Sequence, residues 1–201
     1  LIAVLDDGGE MALERLAVGE HTLLGGDNMD LTLAYTVAAR LEREQGIRLD
    51  AHQLAALTHA CREAKEKIGD GDERPQTLTI LGRGTGLVGG TITTQLTAEE
   101  LRAALLDGFF PACALADRPL ERRKVGLRSF GLDYAADPAF TKHLAAFLDR
   151  HRLEDEQGHI RLPNVVLFNG GVTKADAFRQ RIADAIVGWN TDPEYRIAVL
   201  D

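Results

Sequence analysis

The sequence predicts an α/β protein, because some stretches repeat apolar residues at helical spacing and others run as short β-branched segments. The helical signal is clearest over residues 52–69, where Leu54, Leu57, Cys61, Ala64 and Ile68 follow one another at intervals of three and four. The strand signal is clearest at Val165-Val166-Leu167-Phe168, an apolar run that suits a central strand covered on both faces. Two further runs, 76–81 and 88–96, are rich in Thr, Ile and Leu.

In chain order, residues 1–5 read as a buried strand, Asp7-Gly8-Gly9 as a turn, and 11–18 as the returning arm of a hairpin. The loop Leu23-Leu24-Gly25-Gly26-Asp27 precedes an expected helix over 28–44, with Asp27 as its N-cap, Asp30 in its first turn and Gly46 ending it. The 52–69 helix stops at Gly69-Asp70-Gly71-Asp72, and 82–86 turns between the two Thr-rich strands. Thr97-Ala98-Glu99-Glu100 is a capping box for a helix reaching about Phe109. Residues 138–152 carry Phe140, Leu144, Phe147 and Leu148 at helical spacing, and 155–158 is a polar turn. After the apolar run at 165–168 come Asn169-Gly170-Gly171 and a helix from Thr173 or Lys174 bearing Phe178, Ile182 and Ile186. The stretch 113–163 shows no motif; its basic part, 118–128, contains Pro119.

Composition narrows the function. A formal net charge of −8 over 201 residues argues against a nucleic-acid binder, which usually carries a basic face. It leaves room for a local basic pocket that holds a small anion. Cys61 and Cys113 make neither a disulfide framework nor a zinc set, which fits a reducing, cytoplasmic setting. The apolar runs are too short for a membrane span, and no signal peptide is visible. The strand-like first and last residues read as a chain excised from within a sheet.

Three features point to an anionic ligand. Gly25-Gly26 and Gly170-Gly171 each stand before a helix, where glycine lets backbone approach a ligand and free N–H groups meet a phosphate. Lys65 flanks the apolar stripe of its helix, so its ammonium reaches a pocket at that edge. Taken alone, each glycine pair more often marks a tight turn, and Lys65 more often a solvated face. Gly84-Thr85-Gly86-Leu87-Val88-Gly89 has the spacing of a dinucleotide loop but is followed by a strand, so it reads as a hairpin turn. The six histidines show no metal-ligand spacing.

In combination these pieces resemble the second half of the ATPase domain of the seventy-kilodalton heat-shock chaperones, the DnaK type. His21-Thr22-Leu23-Leu24-Gly25-Gly26-Asp27-Asn28-Met29-Asp30 is similar to that family's T-x-L-G-G-x-D-x-D segment, and Ala60-Cys61-Arg62-Glu63-Ala64-Lys65 to its A-C-E-x-A-K helix. Ile92-Thr93 to Leu101 resembles its I-T-R-x-x-F-E-x-L stretch, and Val165 to Lys174 its strand and loop L-V-G-G-S-T-R.

The resemblance implies the second lobe of an actin-like (ribonuclease H-like) ATPase, with 1–22 and 107–201 as a core subdomain and 23–106 as a smaller α/β upper subdomain. It implies ATP or ADP with Mg²⁺ as ligand in the full-length protein. Gly25 and Gly26 would lie near the phosphates, Lys65 would bond the ribose, and Gly170 and Gly171 would approach the α-phosphate and sugar. Lys174 stands for an Arg that packs on adenine, Arg62 for a Glu, Glu66 for the other adenine-stacking Arg, and Gly69 for a Ser at the base. A carboxylate does not stack usefully on a base and an ammonium does so poorly, so these departures weaken adenine recognition. Partners implied are the family's first ATPase lobe and a co-chaperone or client protein. Because phosphoryl transfer needs groups from the first lobe as well, no turnover is expected from these residues alone. Two alternatives stay open: a degenerate actin-like scaffold that binds proteins without nucleotide, and a sugar-kinase-like member of the same fold.

Overall fold

In a computed structural model the described residues are 1–20, 22–82, 90–120, 137–154 and 160–200. The turn expected at 82–86, the Gly84–Gly89 motif, most of the basic stretch and the polar turn at 155–158 lie largely or wholly outside them. The chain divides into two compact units, one formed by Leu1–Leu23, Cys113–Asn169 and Ile182–Asp201, the other by Leu24–Ala112 and Gly170–Arg181.

The second unit is built on two helices and a hairpin. Helix α1 (Gly26–Gln45) buries Met29, Leu33, Val37 and Leu41, one residue per turn, against α2 (Ala51–Gly69). Gly46 ends α1 in the left-handed region at φ 67°, returning its N–H to the Glu42 carbonyl while Ile47 bonds that of Leu41. Helix α2 starts on Asp50, whose side chain accepts from the Gln53 N–H while Gln53 Oε1 accepts from the Asp50 N–H. Its buried stripe is Leu57, Cys61, Ala64 and Ile68; Leu54 is half-buried.

Strand β3 (Gln76–Leu81) pairs antiparallel with β4 (Thr91–Leu96), and Leu78 and Ile80 turn inward at period two to meet α2. Buried Gln53 anchors the start of α2 by donating to the Leu81 carbonyl. The expected capping box opens α3 (Ala98–Arg102): Glu100 N–H donates to Thr97 Oγ1, and Thr97 N–H returns to Glu100 Oε2. A π-helical turn, Ala103–Asp107, continues it toward buried Phe109 and Phe110. Arg40 of α1 reaches Glu100, Thr94 Oγ1 and the Gln95 carbonyl, tying helix to hairpin.

In the first unit, β1 (Ile2–Asp7) and β2 (Glu10–Arg15) form the expected hairpin. Gly8 and Gly9 both take positive φ in its two-residue turn, and Gly9 N–H bonds Asp6 Oδ1. The strand is not buried as expected: Ile2 and Val4 are 61% and 65% exposed. Helix α4 (Phe140–Arg150) buries Thr141, Ala145 and Leu148. It is followed by the short pair β5 (Leu153–Glu154) and β6 (Ile160–Arg161).

Strand β7 (Val165–Leu167) pairs in parallel with β8 (Ala198–Leu200). It is not covered on both faces as expected, since Val165 and Leu167 are 44% and 67% exposed. An apolar run sets how much burial a strand tolerates, whereas its neighbours decide how much it receives. Helix α5 (Asp176–Gly188) starts later than Thr173 or Lys174, because a separate 3₁₀ turn, Val172–Lys174, precedes it.

Candidate functional site

All nine candidate residues fall within the second unit. Helix α1 is capped by Gly25 rather than by Asp27. Gly25 is extended, its carbonyl accepts from the Asn28 and Met29 N–H groups, and its own N–H donates to Asn28 Oδ1 at 2.9 Å. The helix start therefore leaves the Gly26 and Asp27 N–H groups without an intrahelical acceptor, at the positive end of the dipole. Asp27 and its carboxylate sit inside the first turn, where the side chain pairs with Arg62.

Asp30 departs from the role expected of a first-turn carboxylate. It is 1% exposed and lies on the same face as Leu33, Val37 and Leu41. A carboxylate that deep is retained only with partners, and α2 supplies two. Arg62 Nε donates to Asp30 Oδ2 at 2.8 Å, and Lys65 Nζ lies 2.6 Å from Oδ1 as an ion pair rather than an aligned hydrogen bond. Lys65 also donates to the Gly26 carbonyl at 3.2 Å. The hydrogen bond it donates to Asp30, then the Asp30 charge, hold the Arg62 guanidinium above its ordinary pKa.

Gly26 is where three segments meet. A Cβ there would stand 3.3 Å from Lys65 Nζ, a tight contact, and 3.8 Å from Val172 Cγ2, an ordinary one, so the absent side chain eases the approach of the ammonium. Val172 follows directly on Gly170, which has φ 103°, and on Gly171. Thr173 Oγ1 donates to the Gly170 carbonyl, and Arg179 of α5 donates to the Thr173 carbonyl, fixing this second bend.

The structure thus brings together Gly25, Gly26, Arg62 and Lys65, with the bend of Gly170 and Gly171 beside them. Glu66, Gly69 and Lys174 are exposed, and the Glu66 charge acts on Arg62. Lys65 is not the solvated surface lysine its charged neighbours imply, as its side chain is only 17% exposed. Asp27 and Asp30 are the residues that reasoning from motifs passed over. The signal was available: Asp30 is a charge placed on an apolar stripe.

A nucleotide suits one end of this arrangement better than the other. The open backbone at Gly26 and the Lys65 ammonium fit a sugar–phosphate. The base end fits less well, because Arg62 is engaged by two carboxylates and Glu66 offers no stacking surface. Among the described residues no group of three His, Cys, Asp or Glu side chains could hold a metal ion. A separate cavity of about 180 Å³, lined by Ala60, Glu63, Lys67, Gln76 and Thr79 among others, contains none of the candidate residues. No helix among the described residues is long and apolar enough to cross a membrane.

A pair of glycine bends and a lysine-bearing helix, held in one α/β unit, is an arrangement suited to a small anionic ligand. Over 136 residues, or 66% of this chain, the sequence is 25% identical to the chaperone protein DnaK of Burkholderia cenocepacia (strain HI2424) and to that of Burkholderia orbicola (strain MC0-3). The matched stretch makes up 19% of each relative. The similarity is a distant relation to the DnaK chaperones. No family model matches the chain.

Proposed function

We propose that this chain forms one wall of the nucleotide cleft of a DnaK-like chaperone ATPase, with the fold of the second lobe of an actin-like ATPase. The observation that carries the reading is the Lys65 ammonium 3.2 Å from the Gly26 carbonyl, with Val172 of the second glycine bend on the side where Gly26 lacks a Cβ. The distant DnaK relation supports it independently. The ligand is ATP or ADP with Mg²⁺, bound weakly by these residues and tightly when a first lobe closes over them. A co-chaperone or client protein would then be the partner of the whole, in the cytoplasm.

Titration calorimetry of the 201-residue chain with ADP and Mg²⁺ is expected to register binding that Gly26→Val abolishes. No heat at millimolar nucleotide rejects the reading. Phosphate release by this chain alone is expected to be absent, since its residues supply only part of the charge neutralisation that phosphoryl transfer requires.

One observation favours a second reading, a scaffold that binds proteins and has lost nucleotide. Arg62 and Lys65 are both spent on Asp30. Calorimetry of the full-length protein separates the two, because a scaffold shows no nucleotide heat with both lobes present.

A further inference from the structure

We propose that the outer edge of β3 is a docking strip for an extended segment of a partner protein, added antiparallel to β3 and carrying a basic residue followed two positions later by an acidic one. The inference stands apart from the nucleotide reading and uses none of the residues assigned to it.

Strands β3 and β4 form a two-stranded sheet, so each keeps one unpaired edge. The hydrogen bonds identify which residues face it. Gly82 N–H donates to the Gly90 carbonyl, one step beyond the Leu81–Thr91 pair. Bonded and non-bonded pairs alternate along an antiparallel ladder. Ile80, Leu78 and Gln76 therefore turn their N–H and C=O groups to β4, and Leu81, Thr79 and Thr77 turn theirs outward. The Leu81 carbonyl agrees with this phase, because it accepts from the Gln53 side-chain amide of α2 at 2.9 Å. That amide fills the place a neighbouring strand's N–H would take. Among the described residues nothing does the same for Thr77 and Thr79, which are both exposed. An edge with such open groups is a template for another chain.

Beside this edge lies the cavity of about 180 Å³ between α2 and β3, and a second of about 350 Å³ shares Lys67, Gln76 and Thr77 with it. Ala60 and Ala64 line the first with side chains short enough to leave room for a strand. The charges of the preceding loop are taken, Asp72 by Arg74 and Glu73 by Arg102. Glu63 and Lys67 of α2 are exposed and carry no ion pair among the described residues. They stand four residues apart, about 6 Å along the helix, and same-face residues of a strand repeat at about 7 Å. Lys67 lines both cavities, whereas Glu63 lines only the one that reaches Thr79. A strand antiparallel to β3 passes Glu63 first, so its basic residue precedes its acidic one. A second copy of β3 would not answer these charges, since its residues are Gln-Thr-Leu-Thr-Ile-Leu.

The probe is the blocked peptide acetyl-Thr-Val-Thr-Lys-Thr-Glu-Thr-amide, and its control is the same composition in reverse order. Both are titrated into the 201-residue chain and followed by ¹H–¹⁵N spectra and amide exchange. The probe is expected to slow exchange at Thr77 and Thr79 and to leave Leu78 and Ile80, already bonded to β4, unchanged. It should bind about tenfold tighter than the control, because the control sets like charges against Glu63 and Lys67. The double variant Glu63→Lys, Lys67→Glu exchanges two exposed charges, so its preference should invert. Thr79→Pro removes one outward N–H without touching the ladder to β4 and should abolish binding.

Protection at other residues, or a preference that survives the charge exchange, overturns the proposal. So does the absence of binding by either peptide at millimolar concentration. Protection of the two threonines without peptide, rising with protein concentration, would make the edge a contact between copies of this chain and overturn the choice of partner.

Discussion

The rings of Phe110 and Phe178 stack with centroids 4.9 Å apart and planes inclined by 22°. Both are buried, and they join residues distant in sequence: Phe110 follows the π-helical turn, and Phe178 lies in the first turns of α5. The stack joins Gly170–Arg181, the segment that carries the second glycine bend, to Leu24–Ala112 within the second unit. Phe178→Ala is expected to cost about 3 kcal/mol through lost burial and the cavity left behind. Phe178→Leu should cost less than half of that in urea denaturation. If the stack also seats the bend, Phe178→Leu weakens ADP binding while the chain stays folded.

The elements the sequence made legible are those whose signal is local. The helix over 51–69 follows from its stripe, the hairpin turn from two adjacent glycines, and the capping box from Thr97 and Glu100. Burial of strands was not legible in the same way. Val165 and Leu167 read as interior from their own chemistry, yet their exposure depends on what lies beside them. At the site, the glycine pairs stood out because each stands before a helix, and Lys65 because it flanks the apolar stripe of its own. Asp30 did not, because a carboxylate in a first turn already has an ordinary explanation in the helix dipole. Its real partners lie more than thirty residues away, on α2.

Gly46 tests the boundary of α1. Its φ of 67° lies where a side chain is strained, and two N–H groups, its own and that of Ile47, close the helix there. Gly46→Ala is expected to destabilise the chain by about 1 kcal/mol. Gly25→Ala should cost less, because Gly25 is extended and its Cβ would meet open space. Thermal unfolding of the two variants side by side checks the order.

Asp137 carries a pH dependence. It is 3% exposed and accepts from the Ala139 N–H at Oδ1 and from the Leu120 N–H and Lys142 at Oδ2. Burial pushes its pKa up, but the two backbone donors and the lysine outweigh that, and the carboxyl ends below its usual value. A carboxylate lowered in the folded state adds stability above its unfolded pKa, about 4, and loses it as the pH falls through the folded value. Asp137→Asn should therefore be less stable than the wild type near neutrality, with the gap narrowing below about pH 4. Urea midpoints measured from neutrality down to pH 3 check it. A gap that stays constant over that range would show that the carboxylate charge contributes nothing.

Cys61 gives the opposite sign at the other end of the scale. Its thiol is fully buried under α1, and burial, then the nearby Asp30 charge, push its pKa up to about 12. The folded thiol keeps its proton where an unfolded one ionises, near pH 8.5. Folding is thus favoured less as pH rises between those values, because the unfolded state binds fewer protons there. Native protein at pH 8 is expected to titrate Cys113 with a thiol reagent and leave Cys61 untouched until denaturant is added. Between pH 9 and 11 the wild type should lose stability faster than Cys61→Ala, which has no thiol to ionise. Parallel slopes for the two proteins would mean that the thiol at 61 is solvated, and the packing of α2 against α1 would then have to be redrawn.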